Sequence, residues 1–319
     1  MKGNIYIILL LSFSLLISCG KKNKNAQVSN SGTNPDSCLT IALLPTLDCL
    51  PVYKAIETGI FEKEGIVVHV KMMKSQFDAE NYVIKNKADG CITDLFRTTE
   101  MQGKKIPIRF LLTTKRINTI VTNRMLRINK LKFLNERMIG STRHSIPDYI
   151  CDVVTNEIRK ELATSKIIDT AIVLRPQINR IYLRNEMLKL KQLDAAIMPE
   201  PWGMIAANDG NKVIATYKDY NFSGFAFNTK QYKKKYDLIQ KFVKSYNEAV
   251  DSLVANNELV ISNNSAKLFA ITEITDTIVP TEHFSHLKKV TTEQKTTVIE
   301  FAKRRNLVNK AYSGDTLTY

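Results

Sequence analysis

The feature that most constrains this chain is a hydrophobic period that switches back and forth. Short apolar runs alternate with stretches whose apolar residues recur at helical spacing. Residues 39–44, 67–72, 90–93 and 108–113 have strand length and stop at turn residues. Between them, residues 51–59, 77–86 and 95–103 read as helices, two of them closed by Gly. The alternation resumes with a strand at 137–140, a helix at 147–162, a strand at 171–174, a helix at 178–190 and a strand at 195–198. Such an order predicts an α/β fold with largely parallel sheets. The last third is expected to be mostly helical. Ile239, Phe242, Val243, Tyr246, Ala249, Val250 and Leu253 mark one face of a helix there.

At 319 residues, 44% hydrophobic and 24% charged, the chain is long enough for two lobes, each with its own core. This composition excludes a small disulfide-stapled scaffold, a coiled coil and a multi-span membrane protein. The N-terminus adds an address. Met1–Asn4 is a short positive start, and residues 5–17 form an almost wholly apolar run of 13 residues. That is too short for the roughly 20 residues of a membrane-spanning helix but suits a secretory signal. The run ends in Leu16-Ile17-Ser18-Cys19-Gly20, which resembles the lipobox of bacterial lipoproteins. The expectation is a signal peptide over 1–18, acylation of Cys19, and a polar tether over 19–37 that cannot bury anything. The protein is then exported and lipid-anchored to the cell envelope on its periplasmic side.

Four further cysteines, Cys38, Cys49, Cys91 and Cys151, admit three disulfide pairings that the sequence does not rank. With no Cys-x-x-Cys and no zinc-ligand pattern among the four histidines, neither metal nor cofactor is expected. Of the net charge of +15, residues 104–143 carry +10, with 11 Lys or Arg against Glu136. A solvated face explains such a run, and so would a funnel for anionic ligands or adhesion to anionic headgroups. No nucleic-acid-binding motif accompanies it.

In open α/β sheets, ligands sit beyond the carboxyl ends of strands. Three such ends carry polar residues: 45–51 with Asp48 and Cys49, 93–95 with Thr93 and Asp94, and 140–148 with Ser141, Thr142, Arg143, His144 and Ser145. Ser145 with Asp148 resembles a capping box, and a helix N-terminus beside Arg143 makes an anion site.

These segments in this order resemble periplasmic substrate-binding proteins of the NMT1/THI5-like, sulfonate- and nitrate-binding type. The resemblance rests on the opening strand and helix, the turn Gly59-Ile60-Phe61-Glu62-Lys63-Glu64-Gly65, the stretch Asp89–Leu95, and Pro199-Glu200-Pro201-Trp202. It covers roughly residues 39 to 230. It implies a type 2 periplasmic-binding fold with two α/β lobes around a cleft. Residues 38–122 and 223–319 would form lobe 1 and 123–222 lobe 2, with crossings near 120–123 and 222–228, where Gly224 would tolerate unusual φ. It also implies a non-enzymatic importer component, a monomer that passes a small solute to ABC permease and ATPase subunits on separate chains. The residues it places in the cleft are Asp48, Cys49, Thr93, Asp94, Ser141, Thr142, Arg143, His144, Ser145, Glu200 and Trp202. The three carboxylates favour a cationic or hydrogen-donating ligand, whereas Arg143 and Arg175 favour an anion, so the solute class stays open. A ligand-sensing lipoprotein and a biosynthetic enzyme on the same fold are the rivals, although the iron-binding Cys-rich run of the pyrimidine synthases is absent. The lipobox reading is checked by metabolic labelling: Cys19→Ala is expected to abolish palmitate incorporation, and continued labelling would refute the anchor.

Overall fold

In the computed structural model the apolar runs assemble into two separate sheets. The structure describes residues 38–164, 171–255, 258–261 and 277–319. The expected signal peptide, tether and Cys19 lie outside the described residues. The first part of the chain runs β1 (Cys38–Leu43), α1 (Leu50–Glu57), α2 (Ile60–Lys63), β2 (Val67–Met72), α3 (Gln76–Ile84), β3 (Gly90–Asp94), α4 (Leu95–Gly103) and β4 (Ile108–Thr113). It continues through β5 (Asn118–Thr122), β6 (Ile139–Gly140), α5 (Ile146–Thr164), α6 (Ile181–Lys189), β7 (Ala195–Pro199), α7 (Trp202–Asn208) and β8 (Lys212–Tyr217). The return comprises β9 (Ser223–Asn228), α8 (Thr229–Lys234), α9 (Tyr236–Val254), a ribbon of β10 (Glu258–Ile261) and β11 (Thr277–Pro280), and α10 (Thr292–Arg304).

The first sheet has the order β2-β1-β3-β9-β4, with β1 parallel to β2 and β3, and β9 antiparallel to both its neighbours. The second has the order β6-β7-β5-β8, with β6 parallel to β7, and β5 antiparallel to β7 and β8. Burial follows position. Every residue of β3, β5, β7 and β9 is buried, whereas β2 and β8, at sheet edges, mix half-buried and exposed residues. Strands covered on both faces need continuous apolar runs rather than alternation, which is why the sequence shows runs.

Five details depart from expectation. The sheets are mixed rather than largely parallel, since β5 and β9 each run antiparallel to both neighbours. Residues 171–174 contribute only a one-residue bridge, Leu174 to Met138, rather than a strand. Residues 118–122 form β5 in the second sheet, so the first crossing between sheets runs through 114–117, ahead of the expected 120–123. Residues 223–228 are a strand of the first sheet, so the second crossing runs through 218–222 rather than 222–228. Gly224 is needed for close approach rather than for unusual φ: a Cβ there would lie 2.0 Å from the Leu112 carbonyl oxygen. Cys38, Cys49, Cys91 and Cys151 are all free thiols, and the last three are buried.

An aromatic cluster fastens the two halves to the C-terminal helix. Phe96 of α4 stacks on Tyr149 of α5 at 5.0 Å and meets Phe222 at 4.9 Å and Phe301 of α10 at 4.8 Å. Phe96 and Phe301 are fully buried. Truncating a buried Phe costs about 3–5 kcal/mol, through lost transfer energy and the cavity left behind. Phe301→Ala is therefore expected to lower the urea midpoint of unfolding clearly. A midpoint unchanged from the parent would show that α10 packs without contributing to stability.

Candidate ligand-binding cleft

The carboxyl ends of β1 and β3 face elements of the second sheet, and the facing surfaces are in direct contact. Leu47 N donates to the Glu200 carbonyl at 2.9 Å, and Trp202 Nε1 donates to the Pro45 carbonyl at 2.8 Å. Ile146 N, at the start of α5, donates to Asp94 Oδ2 at 3.2 Å. His144 Nδ1 lies 3.2 Å from Glu100 Oε2, and Ser75 forms an antiparallel bridge with Arg180. Enclosed among these contacts is a cavity of about 20 Å³ whose polar lining is Gln76, Arg116, Asn118, Thr142, Asn179 and Arg184. One water needs about 10–15 Å³ by this measure, so the cleft is closed down to the size of a water.

The residues expected from the sequence fall into distinct places. Thr142 lines the cavity, and its hydroxyl oxygen accepts from Arg184 Nη2. Asp94 stands behind the lining: it caps α4 by accepting from Arg97 N at 2.8 Å, and its Oδ2 accepts from Gln76 Nε2 at 2.8 Å. Thr93 beside it donates to Glu80 Oε1 at 2.8 Å and accepts from Gln76 Nε2 at 3.1 Å. Asp48 is buried against Arg116, with Arg116 Nε at 2.9 Å from Oδ2 and Nη2 at 2.8 Å. Ser223 Oγ also donates to that oxygen, at 2.9 Å. Cys49 faces the core, where burial pushes its thiol up to about 12. Ser141 is fully buried with its hydroxyl unpartnered among the described residues. Arg143 is exposed, and His144 is taken up by Glu100.

The expected capping box does not form in its usual sense. Ser145 Oγ turns back to the Thr142 carbonyl at 2.5 Å, while Asp148 Oδ2 accepts from His144 N at 2.9 Å. Glu200 is buried, with Oε1 accepting from Thr119 at 3.1 Å and Oε2 from Met204 N at 2.9 Å. Gly203 makes that fold-back possible, since a Cβ there would sit 1.9 Å from Thr119 Oγ1 and 2.6 Å from Glu200 Oε1.

Five polar lining residues escaped the sequence reading: Gln76, Arg116, Asn118, Asn179 and Arg184. Arg116 was hidden in a basic run expected to be solvated, yet it is only 6% exposed. Gln76 follows the end of β2, a strand end that carries no conspicuous motif. Arg184 lies on a helix whose flanks carry exposed Lys and Arg, but it falls between Ile181 and Leu188 at i+3 and i−4, and that spacing is the signal that marks its face as buried. Arg184 is 1% exposed. Its guanidinium donates to the carbonyls of Ile178 at 2.8 Å and Ile197 at 2.7 Å, and to Thr142. No carboxylate pairs with it among the described residues, and burial lowers its pKa to about 10. Arg175, by contrast, is used up by Asp148 at 2.9 Å and Asp152 at 2.7 Å.

Burial also acts on the acids. It pushes Glu200 up to about 7 and Asp94 up to about 6, in both cases against hydrogen bonds that favour the charged form. A carboxyl raised in the folded chain adds stability below its ordinary pKa and loses it as pH climbs through the raised value. For Glu200 the window runs from 4.5 to about 7. A Gln at 200 keeps both contacts, accepting from Met204 N and donating to Thr119 Oγ1. Glu200→Gln is therefore expected to gain on the parent by about 2–3 kcal/mol across this window, read as a Tm difference that widens from pH 4.5 to 7.5. Parallel Tm profiles would show that Glu200 ionises freely in the folded chain.

Comparison with known proteins agrees with this architecture. The NMT1/THI5 like family profile matches residues 46–259. Among solved structures, the alkanesulfonate-binding protein SsuA from Xanthomonas axonopodis pv. citri, bound to MOPS, superposes with a TM-score of 0.66. It is 11% identical, and the match covers 89% of this chain and 98% of that one. The ligand-binding component of an ABC-type import system from Staphylococcus aureus gives a TM-score of 0.64 at 13% identity, covering 89% and 96%. The periplasmic nitrate-binding protein NrtA from Synechocystis PCC 6803 gives 0.59 at 15% identity, covering 78% and 69%. No curated protein sequence matches the chain. At these identities the likeness is one of fold, that of the periplasmic binding proteins. With the family profile matching about two thirds of its length, the chain belongs to the NMT1/THI5-like family.

Proposed function

We propose that this chain is the solute receptor of an ABC importer: it captures a small anionic solute between its lobes and passes it to permease and ATPase subunits on other chains. The lobes are the two sheets with their packed helices, joined by the crossings at 114–117 and 218–222. Acylated Cys19 holds the exported receptor at the membrane. Arg184 carries the anion assignment. A buried guanidinium that lines a cleft and meets only neutral acceptors is incompletely compensated, and an anion supplies the missing charge. Arg116 does not compete for that role, because Asp48 neutralises it. The solutes named for the structural neighbours, an alkanesulfonate and nitrate, are of this class.

The mechanism follows from the closed geometry. A cavity of about 20 Å³ excludes such a solute, so the lobes part before it enters. Opening breaks the Trp202–Pro45, Leu47–Glu200, Ile146–Asp94 and His144–Glu100 contacts. A solute that meets both lobes then replaces part of what was broken and favours a closed, occupied form. None of this requires bond-making, and burial holds the thiols of both Cys49 and Cys151 protonated.

Native mass spectrometry of the unit Asn34–Tyr319, which contains both sheets and both core clusters, tests the reading. The mixture offered holds methanesulfonate, nitrate, an aromatic acid and an aminopyrimidine. Retention of an anion at unchanged mass is expected, with Arg184→Met weakening it by about tenfold or more, since a hydrogen bond to a charged group contributes about 1.5–3 kcal/mol. Trp202, the single tryptophan, reports the same binding through its emission. Retention of the aminopyrimidine alone would overturn the anion assignment, and a compound released at a new mass would make the chain an enzyme.

A further inference from the structure

A second concavity lies outside the closed cleft, along the outer face of α3. It is the larger of the two by far, about 470 Å³, which is within the range of small-molecule sites. Met72, Met73 and the ring of Tyr82 give it an apolar floor, and Lys74, Lys85, Lys87 and Arg180 stand around it. The one acid on its lining is Asp78, whose Oδ2 accepts from Ser75 Oγ at 2.8 Å.

The wall between this groove and the inner cavity is the Ser75–Arg180 bridge. Both residues are extended, with φ/ψ of −149°/160° and −80°/119°, and neighbours on extended backbone point to opposite sides. Around Arg180 this puts Asn179 and Ile181 in the cavity and Arg180 in the groove, whereas at Ser75 the chain turns into α3, with Lys74 lining the groove and Gln76, the first helical residue, lining the cavity. The two concavities share a wall and no lining residue.

The cations of the groove are poorly compensated. Among the described residues no carboxylate pairs with Lys74, Lys85 or Lys87, and Lys87 Nζ sits 5.9 Å from the centroid of the Tyr82 ring. Arg180 Nη1 donates to Tyr182 Oη at 3.2 Å, a neutral acceptor. Four cations around an apolar floor, against one acid already engaged, match a molecule with an anionic head and a flat or flexible apolar body. Arg180 belongs to the second-sheet half and the lysines to the first. An occupant touching both therefore binds only while the bridge holds, and its binding free energy adds to closure.

We propose that this groove is a second binding site, for small amphiphilic anions, distinct from the inter-lobe cleft. The assignment stands whether or not the cleft itself takes an anion. The probe is 8-anilinonaphthalene-1-sulfonate, titrated by fluorescence into the unit Asn34–Tyr319, with uncharged N-phenyl-1-naphthylamine as its apolar counterpart. Lys85 and Lys87 are exposed, so Lys85→Glu with Lys87→Glu leaves the core intact. That pair is expected to weaken the sulfonate by about tenfold or more. Arg184→Met in the cleft, and the charge-matched pair Lys130→Glu with Lys191→Glu at the far end of the second sheet, are expected to change it by less than about twofold. A loss below tenfold in the first pair overturns the site. So does an equal loss in the charge-matched pair, which would mean bulk attraction, or in Arg184→Met, which would mean that the probe sits in the cleft. Equal affinity for the uncharged naphthylamine would reduce the groove to an apolar surface and likewise overturn it. Loss of the cleft solute with retention of the sulfonate, or the reverse, separates this assignment from the receptor reading.

Discussion

The buried Asp48–Arg116 ion pair holds the two halves in register. Asp48 lies in the loop after β1, Arg116 in the first crossing between sheets, and Ser223, which also donates to Asp48, opens β9 just after the second crossing. Tyr246 of α9 donates to the Asp48 carbonyl at 2.9 Å and shares a 2.8 Å hydrogen bond with Thr114 in the first crossing. One residue thus ties the first crossing and the start of β9 through its carboxylate, and the longest return helix through its backbone carbonyl. Such a pair is costly to bury and costlier to split, because removing one partner strands the other charge without water, at about 3–5 kcal/mol. The two crossings between the sheets are therefore fixed to the first loop by a contact that is costly to break.

Beyond that contact, the cleft surfaces satisfy one another. The indole N–H of Trp202, the backbone N–H groups of Leu47 and Ile146 and the imidazole of His144 all find acceptors across the cleft. Beneath them Arg97 is bound by Glu80 and Glu100, and His144 and Arg97 hold Glu100 down at about 2 against its burial. The exception is Arg184, whose charge is matched only by dipoles. Among these described groups it is the buried charge without a counter-charge, and such a charge is where an added partner gains most.

The fold was legible because buried strands announce themselves as apolar runs. The expected bounds of β2, β4 and α4 coincide with the observed ones, and the turn from Gly59 to Gly65 and the Pro-Glu-Pro-Trp stretch carried the family. Residues 118–122 were harder to place, since an apolar run says that a strand is buried and not in which sheet. The site was less legible for a related reason. Proximity to a strand end locates a loop, but the direction of each side chain depends on what packs around it. Thus Asp48 and Cys49 turn toward the first crossing and the core, and Glu200 folds back over Gly203. Conversely, Arg116 and Arg184 look like ordinary surface cations in the sequence, yet Asp48 buries the first and the carbonyls of Ile178 and Ile197 enclose the second. Charge composition cannot distinguish a solvated arginine from one sealed in a cleft.

The free cysteines have a consequence for how this chain matures. Cys49, Cys91 and Cys151 are packed out of solvent, and burial raises each thiol above its usual range. The thiolate is the species that oxidants attack, so the native fold protects them twice, by exclusion and by protonation. The unfolded chain has neither protection. Its thiols then stay reduced only if the core closes before an oxidant reaches them. Cys91 lies in β3 of the first sheet and Cys151 in α5 beside the second, so both halves must close before all three thiols are sealed.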